Sequence, residues 1–262
     1  MMSVNFIEYK QDQGIAHVII NNPARMNSMN RKMWGELEVI FNQIQIDKQV
    51  KCVIVRGVGQ HFCAGGDISE YAQFRFNSET LENFHEKTVW NGLKAMLSCD
   101  VPILAQIQGN CMGAGVEIAC CCDIRLCSDN SLFGAPIAKL GFPMAPKEAE
   151  LVVRELGLPV ARQLLLEACV FSAHQMHALG FVSEVTGVDD LSVSVAQRSG
   201  KISSLSIEAA RLNKQTLRSL VQGYKSSAQL SEDVTQHPYA YASNAHHREG
   251  VMAFLEKRRP QF

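Results

Sequence analysis

Two glycine-rich segments constrain the fold of this chain more than any other feature of its sequence. Residues 62–68 read FCAGGDI, and residues 109–117 read GNCMGAGVE. Each follows an apolar run that is typical of a buried parallel strand, and each precedes a helical pattern. A strand, a glycine turn and a helix therefore occur twice in the same order. In open α/β sheets such turns lie at the carboxyl edge of the strands, where ligands bind.

Backbone N–H groups at such turns lack intrahelical partners and point outward. If the two turns face each other, two of these donors converge on one carbonyl oxygen and form an oxyanion hole. A single glycine turn more often only packs a helix against a strand, whereas two in this order favour the oxyanion hole. Beside the first turn, Asp67 is expected to cap a helix, His61 to be structural and Cys63 to belong to the core.

Composition limits the classes of partner. The chain has 262 residues, of which 47% are hydrophobic and 19% are charged, enough for one large domain or a core with a small helical appendage. The net charge of −1 argues against binding to nucleic acid or to an anionic membrane surface. No apolar run approaches membrane length and no signal peptide is evident, so the expected location is the cytoplasm.

The nine cysteines do not read as a disulfide framework or as a metal site. Adjacent cysteines in an apolar stretch are typical of small buried hydrophobes. These are Cys120, Cys121, Cys122 and Cys127. A zinc site needs a second pair of ligands, which this stretch lacks. The histidine pairs at residues 174 and 177 and at residues 246 and 247 bring no third ligand, so no metal is expected.

The remaining periodicity predicts an opening hairpin, buried strands and a largely helical C-terminal half. Strands are expected at residues 5–9, 15–21, 50–56, 103–108, 123–128 and 131–133. Asn30 is expected to cap a first amphipathic helix whose apolar side extends to Ile44. Further helices are expected at residues 81–99, 147–156, 159–167, 173–179, 189–201, 206–220 and 249–257.

Seven segments together resemble the crotonase (enoyl-CoA hydratase/isomerase) superfamily along nearly the whole chain. They are residues 22–28, 62–68, 109–117, 122–125, 133–134, 140–141 and 249–258. The resemblance implies an α/β fold, a crotonase-type spiral of ββα turns over residues 1–200, and a C-terminal helical trimerisation region over residues 201–262. It also implies a homotrimer or a hexamer built as a dimer of trimers. The implied substrate is an acyl-CoA thioester, so that coenzyme A arrives with the substrate and no separate cofactor is needed.

The resemblance also assigns residues to the expected site. The backbone N–H groups of Gly66 and Ala114 would form the oxyanion hole. The carbonyl of Ala64 would accept from the adenine amino group. Arg25 and Lys257 would approach the nucleotide phosphates, and Lys257 would do so in the site of a neighbouring subunit. The other residues expected at the substrate and CoA site are Met26, Gly65, Asp67, Ile68 and Ile137.

Glu117 is the expected acid/base of this site. It lies in the first turn of a helix with apolar neighbours, so burial should raise its pKa into the range useful for proton transfer. The alternative is an ordinary acid favoured by the helix dipole. Hydratases of the crotonase superfamily, which this chain resembles, commonly use a second glutamate at the position where this chain has Ile137. Glu148 and Glu150 are the rival candidates, and both are expected to be surface charges on a helix.

The expected activity is that of an enoyl-CoA hydratase, with Glu117 as the main acid/base and a thioester enolate as the intermediate. One alternative is a 3,2-enoyl-CoA isomerase, which needs only one glutamate. Another is an acyl-CoA decarboxylase or hydrolase. An alternative of a different class is a CoA-binding structural subunit that has lost catalysis.

Overall fold

The computed structural model of the chain describes residues 6–222 and 245–261. Within these ranges the strands form two sheets. The large sheet has the order β1–β2–β3–β4–β6–β9, with β1 Ile7–Asp12, β2 Ile15–Ile20, β3 Cys52–Gly57, β4 Ile103–Ile107, β6 Ile124–Ser128 and β9 Glu184–Thr186. The small sheet has the order β5–β7–β8, with β5 Asn110–Met112, β7 Leu132–Gly134 and β8 Val170–Ser172.

Successive passages of the chain contribute a strand to each sheet, which is the spiral expected from the sequence. Strand β4 is followed directly by β5, and β6 by β7. In the large sheet only the opening hairpin β1–β2 is antiparallel, and the later neighbours are parallel. An isolated parallel bridge joins Cys63 to Cys111 and so extends the small sheet to the first glycine turn. The two glycine turns are therefore stacked one layer apart.

The helices pack around these sheets. They are α1 Arg31–Ile46, α2 Ser78–Asn83, α3 Trp90–Ser98, α4 Ala114–Cys120, α5 Pro146–Leu156, α6 Leu158–Leu166, α7 Ala173–Ala178, α8 Leu191–Ser203, α9 Ile207–Gln222 and α10 Ala245–Leu255. The predicted cap of α1 is confirmed, because the Asn30 side chain accepts a hydrogen bond from the Met33 N–H at 3.0 Å. Among the described helices, none has the length and apolar character needed to cross a bilayer.

The sequence pattern missed two kinds of element. The helix predicted over residues 81–99 is divided into α2, a π-helical turn Phe84–Val89 and α3. A π turn widens the helix by one residue, which a search for 3.6-residue periodicity does not detect. Strands β5, β8 and β9 have three residues each, too few to show alternation. Residue 5, where the first predicted strand begins, lies outside the described residues.

The core forms on both faces of the large sheet. The largest fully buried side chains include Trp34, Phe41, Phe62, Phe133 and Phe181. Burial of each such side chain contributes about 1.5–3 kcal/mol relative to exposure. The four cysteines predicted to be core residues are buried and have free thiols, which confirms the prediction. The division at residue 200 and the trimer stay predictions.

Candidate active site

The two glycine turns make direct contact at one end of a cavity. The Met112 N–H donates to the carbonyl of Cys63 at 2.9 Å, so the strand before the second turn runs along the first. Helix α4 then begins immediately above the first turn. A Cβ on Gly115 would lie 2.6 Å from the Cys63 carbonyl oxygen, closer than van der Waals contact allows. The absence of a side chain at Gly115 therefore permits the approach of the two turns.

The two residues predicted to form the oxyanion hole have backbone N–H groups without a protein acceptor among the described residues. A bridge between Met29 and Gly66 uses the N–H groups of Met29 and Asp67, each bonded at 2.8 Å, and leaves out the N–H of Gly66. Among the described residues, neither Gly66 nor Ala114 donates its backbone N–H to a protein acceptor. Both residues line the same cavity. Their donors are thus available to a ligand, as an oxyanion hole requires.

The cavity has a volume of about 230 Å³ and a largely apolar wall. Its apolar lining includes Trp34, Phe84, Val89, Ile137, Leu140, Phe142 and Met144. Five polar side chains also line it, namely Tyr71, Arg75, His85, Glu117 and Glu148. A small number of polar groups in an apolar cavity is the usual composition of a small-molecule site.

Glu117 and Glu148 form a pair of buried acids in this cavity. Their exposed fractions are 6% and 4%. Burial, and secondly the nearby charge of Glu148, raise the pKa of Glu117 well above its usual range. Within the described part of the chain, the Glu117 carboxyl has no side-chain hydrogen-bond partner, so it remains free to act on a ligand. Burial thus favours the protonated form of Glu117.

The prediction that Glu148 is a surface charge is wrong, whereas Glu150 is exposed as expected. Helix α5 packs on α4 and turns the face that carries Glu148, Leu151 and Val152 inward. These residues are spaced three and four positions apart and so share one side of the helix. That spacing was the sequence signal for burial of Glu148.

Glu148 is held in place by a histidine that the sequence reading missed. His85 Nδ1 lies 2.7 Å from Glu148 Oε1, and Arg75 Nη1 lies 3.4 Å from His85 Nε2. A guanidinium can only donate, so Nε2 must be the acceptor and Nδ1 carries the hydrogen that Glu148 accepts. This tautomer assignment follows from the hydrogen bonds. His85 enters the cavity from the π turn, which explains why periodicity gave no sign of it.

Tyr71 places a hydroxyl beside the first oxyanion donor. Its Oη occupies the space that a Cβ on Gly66 would need. Burial raises the pKa of Tyr71 to about 12, so the hydroxyl keeps its proton across the physiological range. No described residue forms a hydrogen bond with this hydroxyl. It is therefore a further donor near Gly66 that the sequence reading did not identify.

Several of the residues predicted to bind substrate or CoA lie at the cavity. Gly65, Ile68 and Ile137 line it, as does Ala64. The Ala64 N–H donates to the Met26 carbonyl at 3.1 Å, which ties the early loop to the first glycine turn. No described group donates to the carbonyl of Ala64, so the predicted contact with adenine has an available acceptor. These assignments stay predictions of ligand binding.

The other predicted residues lie away from the cavity. Asp67 caps the short 3-10 helix Ile68–Gln73 by accepting from the Ser69 N–H at 3.0 Å, as expected. Arg25 and Lys257 are exposed and do not line the cavity, so their contact with phosphates stays a prediction. Cys63 is fully buried, and burial raises the pKa of its thiol to about 12, in keeping with a core residue.

Comparison with known proteins gives matches along the whole chain. The enoyl-CoA hydratase/isomerase family model matches residues 10–262. A probable enoyl-CoA hydratase of Mycobacterium tuberculosis is 29% identical, with 100% of this chain and 99% of the relative covered. The short-chain-enoyl-CoA hydratase of Clostridium acetobutylicum is 28% identical, with coverages of 98% and 97%. The crystal structure of an enoyl-CoA hydratase/carnithine racemase from Magnetospirillum magneticum has a TM-score of 0.94 at 32% identity, with coverages of 99% and 96%.

The contact between Gly66 and Tyr71 predicts a pair of compensating substitutions. Gly66→Ala should lower the free energy of unfolding by about 1–3 kcal/mol because the new methyl group displaces the Tyr71 hydroxyl. Tyr71→Phe removes that hydroxyl, so the double variant should recover much of the loss. Urea unfolding of the two single variants and the double variant measures the coupling. Strictly additive effects would show that the Tyr71 hydroxyl is not the obstacle.

The raised pKa of Glu117 predicts a pH-dependent stability. The folded protein binds this proton more tightly than the unfolded chain, whose glutamate pKa is about 4.3. The stabilisation is complete below the unfolded pKa and is lost as the pH rises through the folded pKa. Glu117→Gln should remove this dependence, and urea unfolding between about pH 4 and pH 9 would measure it. Glu150→Gln, at an exposed position, is the control. An unchanged slope in Glu117→Gln would contradict the assignment.

Proposed function

Because the chain belongs to the enoyl-CoA hydratase/isomerase family, we propose that it hydrates 2-enoyl-CoA thioesters through a thioester enolate. The observation that carries this proposal is the buried carboxyl pair Glu117 and Glu148 in the cavity of the glycine turns. Addition of water across a double bond needs a base for the water and a proton donor for the α-carbon. Two acids in one cavity can divide these tasks between them.

The glycine turns supply the electrostatic part of the mechanism. The thioester oxygen accepts hydrogen bonds from the N–H groups of Gly66 and Ala114. Attack of water at the β-carbon moves negative charge onto this oxygen, where the donors stabilise the enolate. Each preorganised donor of this kind lowers the barrier by about 3–4 kcal/mol. The Tyr71 hydroxyl, beside Gly66, adds a donor on the same side of the cavity.

Proton transfer then follows from the different surroundings of the two acids. Glu148 accepts a hydrogen bond from His85 and, as a carboxylate, takes a proton from the attacking water. The water oxygen forms its bond to the β-carbon. Glu117, whose protonated form is favoured by burial, delivers its proton to the α-carbon of the enolate. Exchange with solvent moves the proton gained by Glu148 back to Glu117 and completes the cycle.

This mechanism differs from the one expected from the sequence in one respect. Glu117 acts with a second acid, and that acid comes from α5 instead of the position of Ile137. A 3,2-enoyl shift needs a single group that carries a proton between two carbons, and Glu117 alone would serve it. The anchored Glu148 favours hydration over this alternative, because only hydration needs a separate base for water.

Absorbance of the conjugated 2-enoyl thioester provides the first test. Incubation of the purified protein with crotonyl-CoA should decrease this absorbance, because hydration removes the conjugated double bond. Incubation with a 3-enoyl-CoA should leave it unchanged. An increase with the 3-enoyl substrate instead would identify an isomerase, and no change with either substrate would refute both activities.

Substitution of each acid tests the division of roles. Glu117→Gln and Glu148→Gln should each lower kcat by about 10²–10⁴, since each removes one general acid/base. The wild-type rate should fall as the pH rises through the raised pKa of Glu117, because the acid loses its proton there. Steady-state kinetics across pH provide the measurement, with Glu150→Gln as the control. Near-full turnover by Glu148→Gln would contradict this division and show that Glu117 alone carries out the proton transfers.

A further inference from the structure

The cavity contains a cation that the hydration mechanism does not use. Arg75 lies half-buried in the wall, and its guanidinium carbon is 3.7 Å from the ring centroid of Phe142 and 4.6 Å from that of Tyr71. The guanidinium face thus packs on aromatic rings, an arrangement that arginine tolerates well. Within the described residues, Arg75 forms no ion pair with an acidic side chain.

Most of the hydrogen-bonding capacity of Arg75 is also unused. A guanidinium has five N–H donors in one plane. The side chain makes one protein hydrogen bond among the described residues, the long contact of 3.4 Å with His85 Nε2. The N–H donors lie in the plane of the group, not on the face that contacts the rings, and Arg75 lines the cavity. These in-plane donors are the part of an arginine that binds a carboxylate through two parallel hydrogen bonds.

The two acids of the cavity do not neutralise Arg75 by contact. His85 lies between Arg75 and Glu148 and forms a hydrogen bond with each of them. Arg75 and Glu148 therefore do not contact each other directly. Among the described residues, Glu117 makes no hydrogen bond or ion pair with Arg75. A partly desolvated cation without a contact partner is costly, and a ligand that brings the opposite charge relieves this cost.

We propose that Arg75 binds a carboxylate at the far end of the acyl chain, so that the substrates are CoA thioesters of 2-enoic diacids. The inference rests on the proposed acyl-CoA function. In the proposed mechanism the thioester oxygen binds at Gly66 and Ala114, and the β-carbon faces Glu148. Arg75 is joined to Glu148 through His85, so the acyl atoms beyond the β-carbon are the part of the substrate that it would contact.

Two saturated thioesters of equal length isolate this interaction. Adipyl-CoA and hexanoyl-CoA both carry six acyl carbons. The acyl chain of adipyl-CoA ends in a carboxylate, and that of hexanoyl-CoA ends in a methyl group. Isothermal titration calorimetry should show that the wild-type protein binds adipyl-CoA more tightly. Arg75→Met should weaken binding of adipyl-CoA by roughly 10- to 100-fold and leave binding of hexanoyl-CoA within about twofold. Arg75→Lys, which keeps the charge but loses the planar fork, should give an intermediate loss.

The control is Arg162→Met, which removes an exposed arginine of α6 and should leave both affinities unchanged. Unchanged binding of hexanoyl-CoA by Arg75→Met also shows that the variant is folded. A wild-type protein without preference for adipyl-CoA would overturn the proposal. Equal weakening of adipyl-CoA, hexanoyl-CoA and free CoA would overturn it too, since Arg75 would then serve the CoA phosphates.

Binding and turnover separate this inference from the proposed function. Neither saturated thioester can be hydrated, so the calorimetric preference does not depend on the reaction. A preference that requires Arg75, together with no change in crotonyl-CoA, would refute hydration of that substrate and retain the anion site. Hydration of crotonyl-CoA without any adipyl preference would retain the reaction and refute the anion site.

Discussion

The close approach of two backbone turns is the constraint on which the site depends. Gly115 lies so near the Cys63 carbonyl that a Cβ has no room, and the parallel bridge from Cys63 to Cys111 fixes the register of the two layers. Because the layers are stacked in this register, Gly66 and Ala114 line one cavity. Backbone donors held by a sheet need no reorganisation when charge develops on a ligand, which is the property that makes them effective.

The sequence predicted the parts of this arrangement that depend on local pattern. The strand–turn–helix units, the cap at Asn30 and the buried cysteines all follow from periodicity and residue type. The inward position of Glu148 depends on which face of α5 packs against α4. The prediction that Glu148 is a surface charge did not take into account that it shares a face with Leu151 and Val152. The position of His85 in the cavity could not be predicted for another reason. Its direction is set by the π turn, whose additional residue per turn breaks the periodicity on which sequence reasoning relies.

Electrostatic cost connects the stability of the protein to the chemistry of its cavity. A buried acid without a hydrogen-bond partner destabilises the fold when ionised, and Glu117 avoids this by keeping its proton. The same shift favours the form of Glu117 that can donate a proton. Glu148 is equally buried, but it accepts a hydrogen bond from His85. In the proposed mechanism, the difference in surroundings, and not in residue type, assigns the two glutamates different roles.

The replacement of one acid position by another also bears on the substrate. With Ile137 at the cavity wall and Glu148 on α5, the second carboxyl approaches together with His85 and Arg75, which are joined to it by hydrogen bonds. Arg75 itself lies on the segment between the 3-10 helix Ile68–Gln73 and α2, so separate elements bring the acid and the cation to His85. Under the two proposals, proton transfer and recognition of a charged acyl terminus share this hydrogen-bonded group of side chains.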